Sequence, residues 1–298
     1  MTSAIHTVLD AFGGVATTRQ LLTLMTRSQL DANVRAGHLV RLWYGVYGLP
    51  GTSIRDRLRA LRFLMAEEPV VCLGTAAALY GFDLENTTAI HILDPGTRMR
   101  PAVGLMVHQR TGAPLRRIAG CLATAPAWTT VEVARQLSRP RILAVLDAAL
   151  RSSACTAAEL ADAVQAQRGR RGIVAVRELL AHADGRAESA MESEARLLMI
   201  DRGLPIPELQ WEIRGSDGNL YRADFAWPDA MVIAEYESIE RHSGSAEMLR
   251  DRKRLAALQE LGWIVIPIVV SDVRQHPDRL AERIRTHLFD LPSRHRIA

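Results

Sequence analysis

At 298 residues the chain is longer than a typical single domain of roughly 100 to 200 residues, so two or three compact units are expected. Hydrophobic residues make up 48% and charged residues 23%, which excludes a disordered chain, and no apolar run reaches the roughly 20 residues of a membrane-spanning helix. The net charge of +4 is too small to indicate an anionic partner, and Cys72, Cys121 and Cys155 lie too far apart to indicate a disulfide framework or a zinc site. Because residues 1–25 lack an export signal, we expect a cytoplasmic protein.

The first 50 residues have the pattern of three helices followed by a β-hairpin. A first helix is expected over residues 3–12, and Thr18 is a suitable N-cap for a second one. Ser28 is the expected N-cap of a third helix, which Gly37 ends. Two short β-prone runs follow, at 39–43 and 46–49. Residues 1–50 are therefore predicted to form a winged-helix domain.

The middle region, residues 51–185, mixes α/β and helical patterns. Helices are expected at 54–65, 75–80, 129–137, 141–151 and 156–167, and strands at 90–93 and 104–108. No catalytic pattern is present in this region. Residues 186–298 instead have an α-β-β-β-α-β-α order: a helix from 188 to 200, strands at 208–213, 220–227 and 231–237, a helix at 246–261, a strand at 263–270 and a helix at 278–288. The fold class is thus α/β (α+β).

Acidic residues are concentrated on two of these strands. Asp224 and Glu235 flank a tight turn symmetrically, so a two-residue hairpin would place them directly opposite each other, with Cβ atoms about 5 Å apart. Glu237 projects from the same face as Glu235 because side chains alternate along a strand. Glu192, on the preceding helix, is a fourth candidate ligand. Like charges at this density normally need a cation or a proton, and oxygen ligands suit Mg²⁺ or Mn²⁺, which would promote phosphodiester hydrolysis. The alternative is that these acids are solvated on an open sheet face.

A set of segments in this region carries a family resemblance. The segments are Glu188-Ser189, Glu192-Ser193, Tyr221-Arg222-Ala223-Asp224-Phe225-Ala226-Trp227-Pro228, Glu235-Tyr236-Glu237, His242, Arg250-Asp251-Arg252 and Leu261-Gly262-Trp263. Over roughly residues 186–290 they resemble the very-short-patch-repair-like branch of the PD-(D/E)XK endonuclease superfamily. The resemblance implies a restriction-endonuclease-like fold, a DNA substrate and catalysis by Asp224, Glu235 and Glu237.

The sequence departs from that family at the second acid. Members usually show Glu-x-Asp-Gly where this chain has Glu235-Tyr236-Glu237-Ser238, so the acid is longer and a flexible glycine is lost. A lysine-dependent mechanism is disfavoured, because the single lysine of the chain is Lys253 on the following helix. The resemblance then implies that His242 acts as general acid or base; the alternative is a surface histidine.

The helix after the acids carries a basic cluster that could follow DNA phosphates. Its members are Arg250, Arg252, Lys253 and Arg254. The alternative is a solvated helix face that is balanced by nearby acids such as Glu247 and Glu260.

Residues 4–50 carry a second resemblance. The matching segments are Gly13-Gly14-Val15-Ala16-Thr17, Arg19 to Leu22, Arg35-Ala36-Gly37-His38-Leu39-Val40-Arg41 and Gly45-Val46-Tyr47. They resemble the winged-helix domain of AbiEi-type antitoxins. The resemblance implies that the third helix enters the major groove and that the wing lies near the backbone. The implied DNA contacts are Arg27, Gln29, Asn33 and Arg35 on the helix and Arg41 and Tyr44 on the wing.

Two hypotheses follow from these patterns. The leading one is a Mg²⁺- or Mn²⁺-dependent DNA endonuclease that a winged helix directs to its target. The rival is an AbiEi-like antitoxin or transcriptional regulator whose nuclease-like domain is inactive and binds DNA or a partner protein, such as a cognate toxin. Both require DNA and no membrane, and both allow a homodimer.

Overall fold

The chain forms two compact units of mixed helix and sheet, which confirms the α/β class. The computed structural model describes residues 2–65, 68–82, 84, 89–96, 103–109, 112–237 and 245–290. The units are Met1–Thr129 and Thr130–Ala298. No helix in these described ranges is long and apolar enough to cross a membrane. Cys72, Cys121 and Cys155 are free thiols.

The first unit begins with three helices and a small antiparallel sheet. The elements are α1 (Thr2–Ala11), β1 (Val15–Thr17), α2 (Thr18–Leu21), α3 (Arg27–Arg35), β2 (Val40–Trp43) and β3 (Val46–Gly48), with sheet order β1-β3-β2. Leu9, Leu21, Leu30 and Leu39 are fully buried or nearly so and form the core between them. The helices and hairpin expected from the sequence are present. Strand β1 was not expected, because three residues are too few to show a clear alternation.

The two helix caps differ from the expected ones. Thr17 caps α2 and Thr26 caps α3, where Thr18 and Ser28 were expected. In both cases the threonine hydroxyl accepts from the backbone N–H of a glutamine three residues later, and that glutamine side chain accepts from the threonine N–H. The Thr-x-x-Gln spacing is a capping box, and it satisfies more N-terminal donors than a lone Thr18 or Ser28 would.

The remainder of the first unit is a helix pair and a mixed sheet. Its elements are α4 (Ile54–Arg62), β4 (Val70–Val71), α5 (Leu73–Leu79), β5 (Ile90–Leu93), β6 (Leu105–His108), β7 (Leu115–Ile118) and β8 (Cys121–Thr124), and the described strands follow the order β6-β5-β4-β8-β7. Strands β4, β7 and β8 were not expected. Helix α4 contacts β1 and β2, and the Trp43 indole N–H donates to the carbonyl of Arg57 at 2.9 Å. The expected boundary after residue 50 therefore lies inside this unit.

The second unit joins a helical layer to a four-stranded sheet. Its elements are α6 (Pro126–Ala134, which begins before the unit boundary), α7 (Arg139–Arg151), α8 (Ala157–Ala166), α9 (Ile173–Leu180), α10 (Ala190–Asp201), β9 (Glu208–Arg214), β10 (Leu220–Trp227), β11 (Val232–Tyr236), α11 (Ser245–Glu260), β12 (Ile264–Ile268), α12 (Val270–Arg274) and α13 (Pro277–Arg285). The described strands follow the order β12-β11-β10-β9, and only the β11–β12 pair is parallel. The α-β-β-β-α-β-α order expected for residues 186–298 is present with α12 as an addition, and α9 is a further helix of the middle region that was not expected. One sheet face packs on α10 and α13, the other on α11.

A buried ion pair joins α7 to α10. Arg196 donates to Asp147 at 2.6 Å, and the two side chains are 5% and 0% exposed. Arg196 also donates to the carbonyl of His182 at 2.6 Å, and Asp147 accepts from the N–H of Asp184 at 2.8 Å. Burial raises the pKa of Asp147 even though Arg196 opposes that shift. Because these bonds and the α7–α10 packing cross the expected boundary at residue 185, residues before and after it form one structural unit.

We predict that Arg196→Met destabilises the protein by about 3 to 5 kcal/mol, because it leaves the Asp147 carboxylate buried without its partner. Urea unfolding followed by tryptophan fluorescence measures this loss. The control is Arg202→Met, which breaks the exposed pair of Arg202 with Asp278 and should cost at most about 1 kcal/mol. Equal losses in the two variants would contradict the prediction.

Candidate functional site

The acidic residues of β10 and β11 lie opposite each other, as the sequence pattern indicated. Phe225 pairs with Ala234 in the antiparallel ladder, and the next pair in this register is Asp224 and Glu235. The Asp224 carboxylate accepts from the N–H of Tyr236 at 2.8 Å. The connection between the strands is a short 3₁₀ turn, Pro228–Ala230, followed by Met231 at φ +54°, rather than a two-residue hairpin. The register nevertheless matches the expected one.

Glu192 reaches the same place from α10. Its side chain is 7% exposed and accepts from the N–H of Glu188 at 2.8 Å and from the Gln210 amide at 3.0 Å. Burial raises the pKa of Glu192, and the charge of Asp224 raises it further, so the two carboxylates are close enough to repel each other. Gln210 occupies β9 with φ +54°, an unusual conformation for a residue other than glycine. The backbone of β9 is thus bent where its side chain contacts Glu192.

Arg254 of α11 supplies the positive charge of this cluster. Both terminal nitrogens of its guanidinium donate to Glu235, and one of them also donates to the carbonyl of Arg222 at 3.0 Å. The guanidinium lies 5.8 Å from the centre of the Tyr221 ring. Burial lowers the pKa of Arg254, but the bond to Glu235 and the charges of Glu235 and Asp224 outweigh burial and raise it. Arg254 is therefore a fixed cation next to two of the acids.

Protein groups already engage several oxygens of these carboxylates. Within the described residues, no three His, Cys, Asp or Glu side chains are placed to hold one. Glu235 is engaged by Arg254, and Glu192 and Asp224 each accept from protein N–H groups. Glu237 is exposed, and its N–H donates to the carbonyl of Ile268 at 2.8 Å. The Arg254 guanidinium thus compensates the charge of Glu235.

The other residues expected at this site are placed differently. Arg254, expected as a phosphate contact, instead binds Glu235 inside the domain, whereas Arg250, Arg252 and Lys253 are exposed on α11. His242 lies outside the described residues. The backbone bond from Glu237 to Ile268 continues the β11–β12 pairing by one residue, so Glu237 marks the end of the strand. The metal site and its catalytic residues stay predictions.

Sequence reasoning missed two members of the cluster, Gln210 and the Arg254–Glu235 pair. Gln210 lies opposite Asp224 in the register of β9 with β10, since Trp211 pairs with Ala223 and Leu209 with Phe225. Strand pairing could therefore have indicated Gln210 once the register was known. No local pattern joins Arg254 to Glu235, because the two residues lie on different elements, 19 positions apart.

The expected DNA contacts of the first unit divide into exposed and structural residues. Arg27, Gln29 and Arg35 are exposed on α3, although the Gln29 side-chain oxygen also serves in the capping box. Asn33, expected to contact a base, is 5% exposed; its amide donates to the carbonyl of Gln29 at 2.8 Å, and its oxygen lies 3.3 Å from a ring nitrogen of His38. Asn33 thus holds the C-terminal end of α3 rather than facing outward.

The hairpin carries an exposed aromatic and a cation at its tip. Tyr44 is 83% exposed, and the Arg41 guanidinium lies 5.0 Å from the centre of its ring. Gly45 follows with φ +70°, a conformation that favours glycine and allows the tight turn. Both side chains are therefore presented at the end of the β2–β3 hairpin, as expected for a wing.

We predict that Asp224→Asn lowers the pKa of Glu192, because it removes a neighbouring negative charge that favours the protonated form. Carboxyl-carbon NMR titration of the glutamates measures the shift. The control is Glu212→Gln, which removes an exposed acid from β9 and should leave the pKa of Glu192 unchanged. An unchanged Glu192 titration in Asp224→Asn would contradict the proximity of the two carboxylates.

The middle region of the chain matches a known protein family. Residues 69–182 match the family model of the AbiEi antitoxin C-terminal domain. A solved structure, the Rv2827c protein of Mycobacterium tuberculosis, is similar at 17% sequence identity and a TM-score of 0.38, over 67% of this chain and 83% of that chain. A likeness at this level carries no argument about function.

Two relatives match almost over their whole length. They are uncharacterized protein MT2308 of Mycobacterium tuberculosis strain CDC 1551 / Oshkosh and uncharacterized protein Rv2248 of strain ATCC 25618 / H37Rv. Each is 67% identical over 264 residues, which cover 89% of this chain and 97% of the relative. The chain therefore belongs to the same family as these two mycobacterial proteins, and its middle region resembles the AbiEi antitoxin C-terminal domain.

Proposed function

We propose that the protein is a DNA-binding regulator of the antitoxin type, which contacts DNA through its first 50 residues and binds a cognate toxin protein. The observation that carries this proposal is the match of residues 69–182 to the AbiEi antitoxin C-terminal domain. This match supports the antitoxin hypothesis over the endonuclease hypothesis. The similarity to the nuclease superfamily has no counterpart in the comparisons.

The chemistry of α3 suits contact with DNA bases. Arg27 and Arg35 are exposed on this helix, and arginine can bind the edge of guanine in the major groove through two hydrogen bonds. Arg41 and Tyr44 at the tip of the hairpin are suited to backbone contacts, since they supply a positive charge and a hydroxyl group. Asn33 is omitted from this set because its polar atoms are used inside the domain.

A regulator of this kind does not need the acidic cluster to be catalytic. The Arg254–Glu235 ion pair and the bonds to Glu192 and Asp224 are those of a charge-compensated structural cluster. In this account the cluster fixes α10 and α11 on the sheet. The cognate toxin and a homodimer stay predictions.

We predict that Arg27→Ala/Arg35→Ala lowers the affinity for a preferred duplex by roughly tenfold or more, because two potential base contacts are lost. Fluorescence anisotropy with labelled duplex measures the affinity. The matched control is Arg168→Ala/Arg177→Ala, which removes two exposed arginines from the second unit and should bind as the wild type does. Unchanged affinity and sequence preference in the α3 variant would contradict the proposed role of this helix.

A metal-dependent endonuclease is the second candidate, and the proximity of Glu192 to Asp224, opposite Glu235, favours it. The endonuclease candidate requires that the ion pair between Arg254 and Glu235 breaks before Mg²⁺ or Mn²⁺ binds. If this candidate is correct, purified protein should nick supercoiled plasmid with Mg²⁺ or Mn²⁺, and Asp224→Ala prepared identically should not. Absence of metal-dependent nicking in the wild type would contradict it.

A further inference from the structure

A basic cavity lies in the first unit, outside the residues discussed so far. Its volume is about 250 Å³, and it is bounded on one side by α4 and on the other by the start of β4 and the turn before β8. The polar residues that line it are Arg55, Arg59, Arg62, Glu68 and Cys121. The three arginines follow one another at spacings of four and three residues, so they share one face of α4.

Among the described residues that line this cavity, arginines outnumber carboxylates. Glu68 accepts from both Arg62 and Arg117, so one carboxylate serves two guanidinium groups. Arg59 pairs with Asp56 at 3.2 Å. Arg55 is exposed and has no carboxylate partner within the described part of the chain. Within the described residues, Arg55 is therefore a cationic group at the cavity mouth that can bind an anion.

The chemistry of the lining favours a backbone phosphate over a whole nucleotide. No aromatic side chain is among the described residues that line the cavity, so none is available there to stack on a base. Leu58, Pro69 and Val71 are buried beneath the arginines. An arginine that contacts phosphate oxygens positions a protein on DNA and carries no sequence information.

Helix α4 is attached to the hairpin that is expected to approach DNA. The Arg57 guanidinium lies 5.4 Å from the centre of the Trp43 ring, and the Trp43 indole donates to the carbonyl of Arg57. Arg59 also donates to the carbonyl of Gly13, just before β1. These contacts hold helix α4 against the three-stranded sheet of the same unit.

We propose that the Arg55–Arg59–Arg62 face of α4 is a second DNA contact, which binds backbone phosphates independently of sequence. The proposal rests on the proposed DNA-binding function and extends the contact beyond residues 1–50. The contact adds affinity and positions the unit, while α3 provides the sequence preference.

The test compares the salt dependence of DNA binding between wild type, Arg55→Gln and Arg55→Gln/Arg62→Gln. Fluorescence anisotropy is measured from about 50 to 200 mM salt on a preferred and a scrambled duplex. Loss of one phosphate contact should reduce the slope of log K against log[salt] by about 0.9, and affinity should fall on both duplexes alike. Circular dichroism and thermal unfolding check that the variants fold, and Arg55→Gln alters an exposed side chain only.

The control is Arg168→Gln/Arg177→Gln, which removes the same charge from the second unit and should retain the wild-type slope. If the wild type binds DNA and the folded Arg55→Gln and double variants keep its slope and affinity, the α4 contact is overturned while the proposed function stands. If the wild type does not bind DNA at all, both are overturned. A loss confined to the preferred duplex would also overturn the α4 proposal, since it would indicate base recognition.

Discussion

The need to compensate buried charge governs the second unit. Helix α10 carries Glu192, Glu194 and Arg196 in the interior, each less than 10% exposed. Arg196 is paired with Asp147, and Glu194 is paired with Arg274 at 2.8 Å. Removing one member of such a pair lowers the free energy of unfolding by more than the intact pair contributes to it. The remaining charge is then buried with neither a partner nor water. These pairs fix α10, and α10 in turn sets the position of Glu192 beside Asp224.

The need to compensate charge also applies to the acidic cluster, and it favours a structural role for the cluster over the catalytic role suggested by the sequence. Opposed acids need a cation or a proton, and sequence reasoning favoured a metal ion in that role. The structure places the Arg254 guanidinium against Glu235. An arginine is always charged and binds a carboxylate through two parallel hydrogen bonds, so it can stabilise the cluster permanently. This arrangement suits a structural domain in a regulator, for which the antitoxin-type match gives independent support.

Local sequence patterns predicted most of the helices and strands. Contacts between residues far apart in the sequence determine which side chains meet in the acidic cluster. Symmetric spacing about a turn was enough to predict that Asp224 opposes Glu235, because strand register follows from the turn. Helix α9 was not expected because it follows a polar stretch. Its buried residues Ile173, Val176 and Leu179 nevertheless have helical spacing. The burial of Asn33 and the pairing of Arg254 depend on neighbours brought together by folding, and no spacing in the sequence encodes them.

If the protein regulates by binding DNA, selection of bound duplexes from a random-sequence pool will reveal the sequence that it recognises. The purified full chain is used in the presence of EDTA, so that binding is separated from any metal-dependent cleavage. We expect enrichment of a defined sequence motif without metal. Recovery of random sequences, or of no DNA, would contradict it.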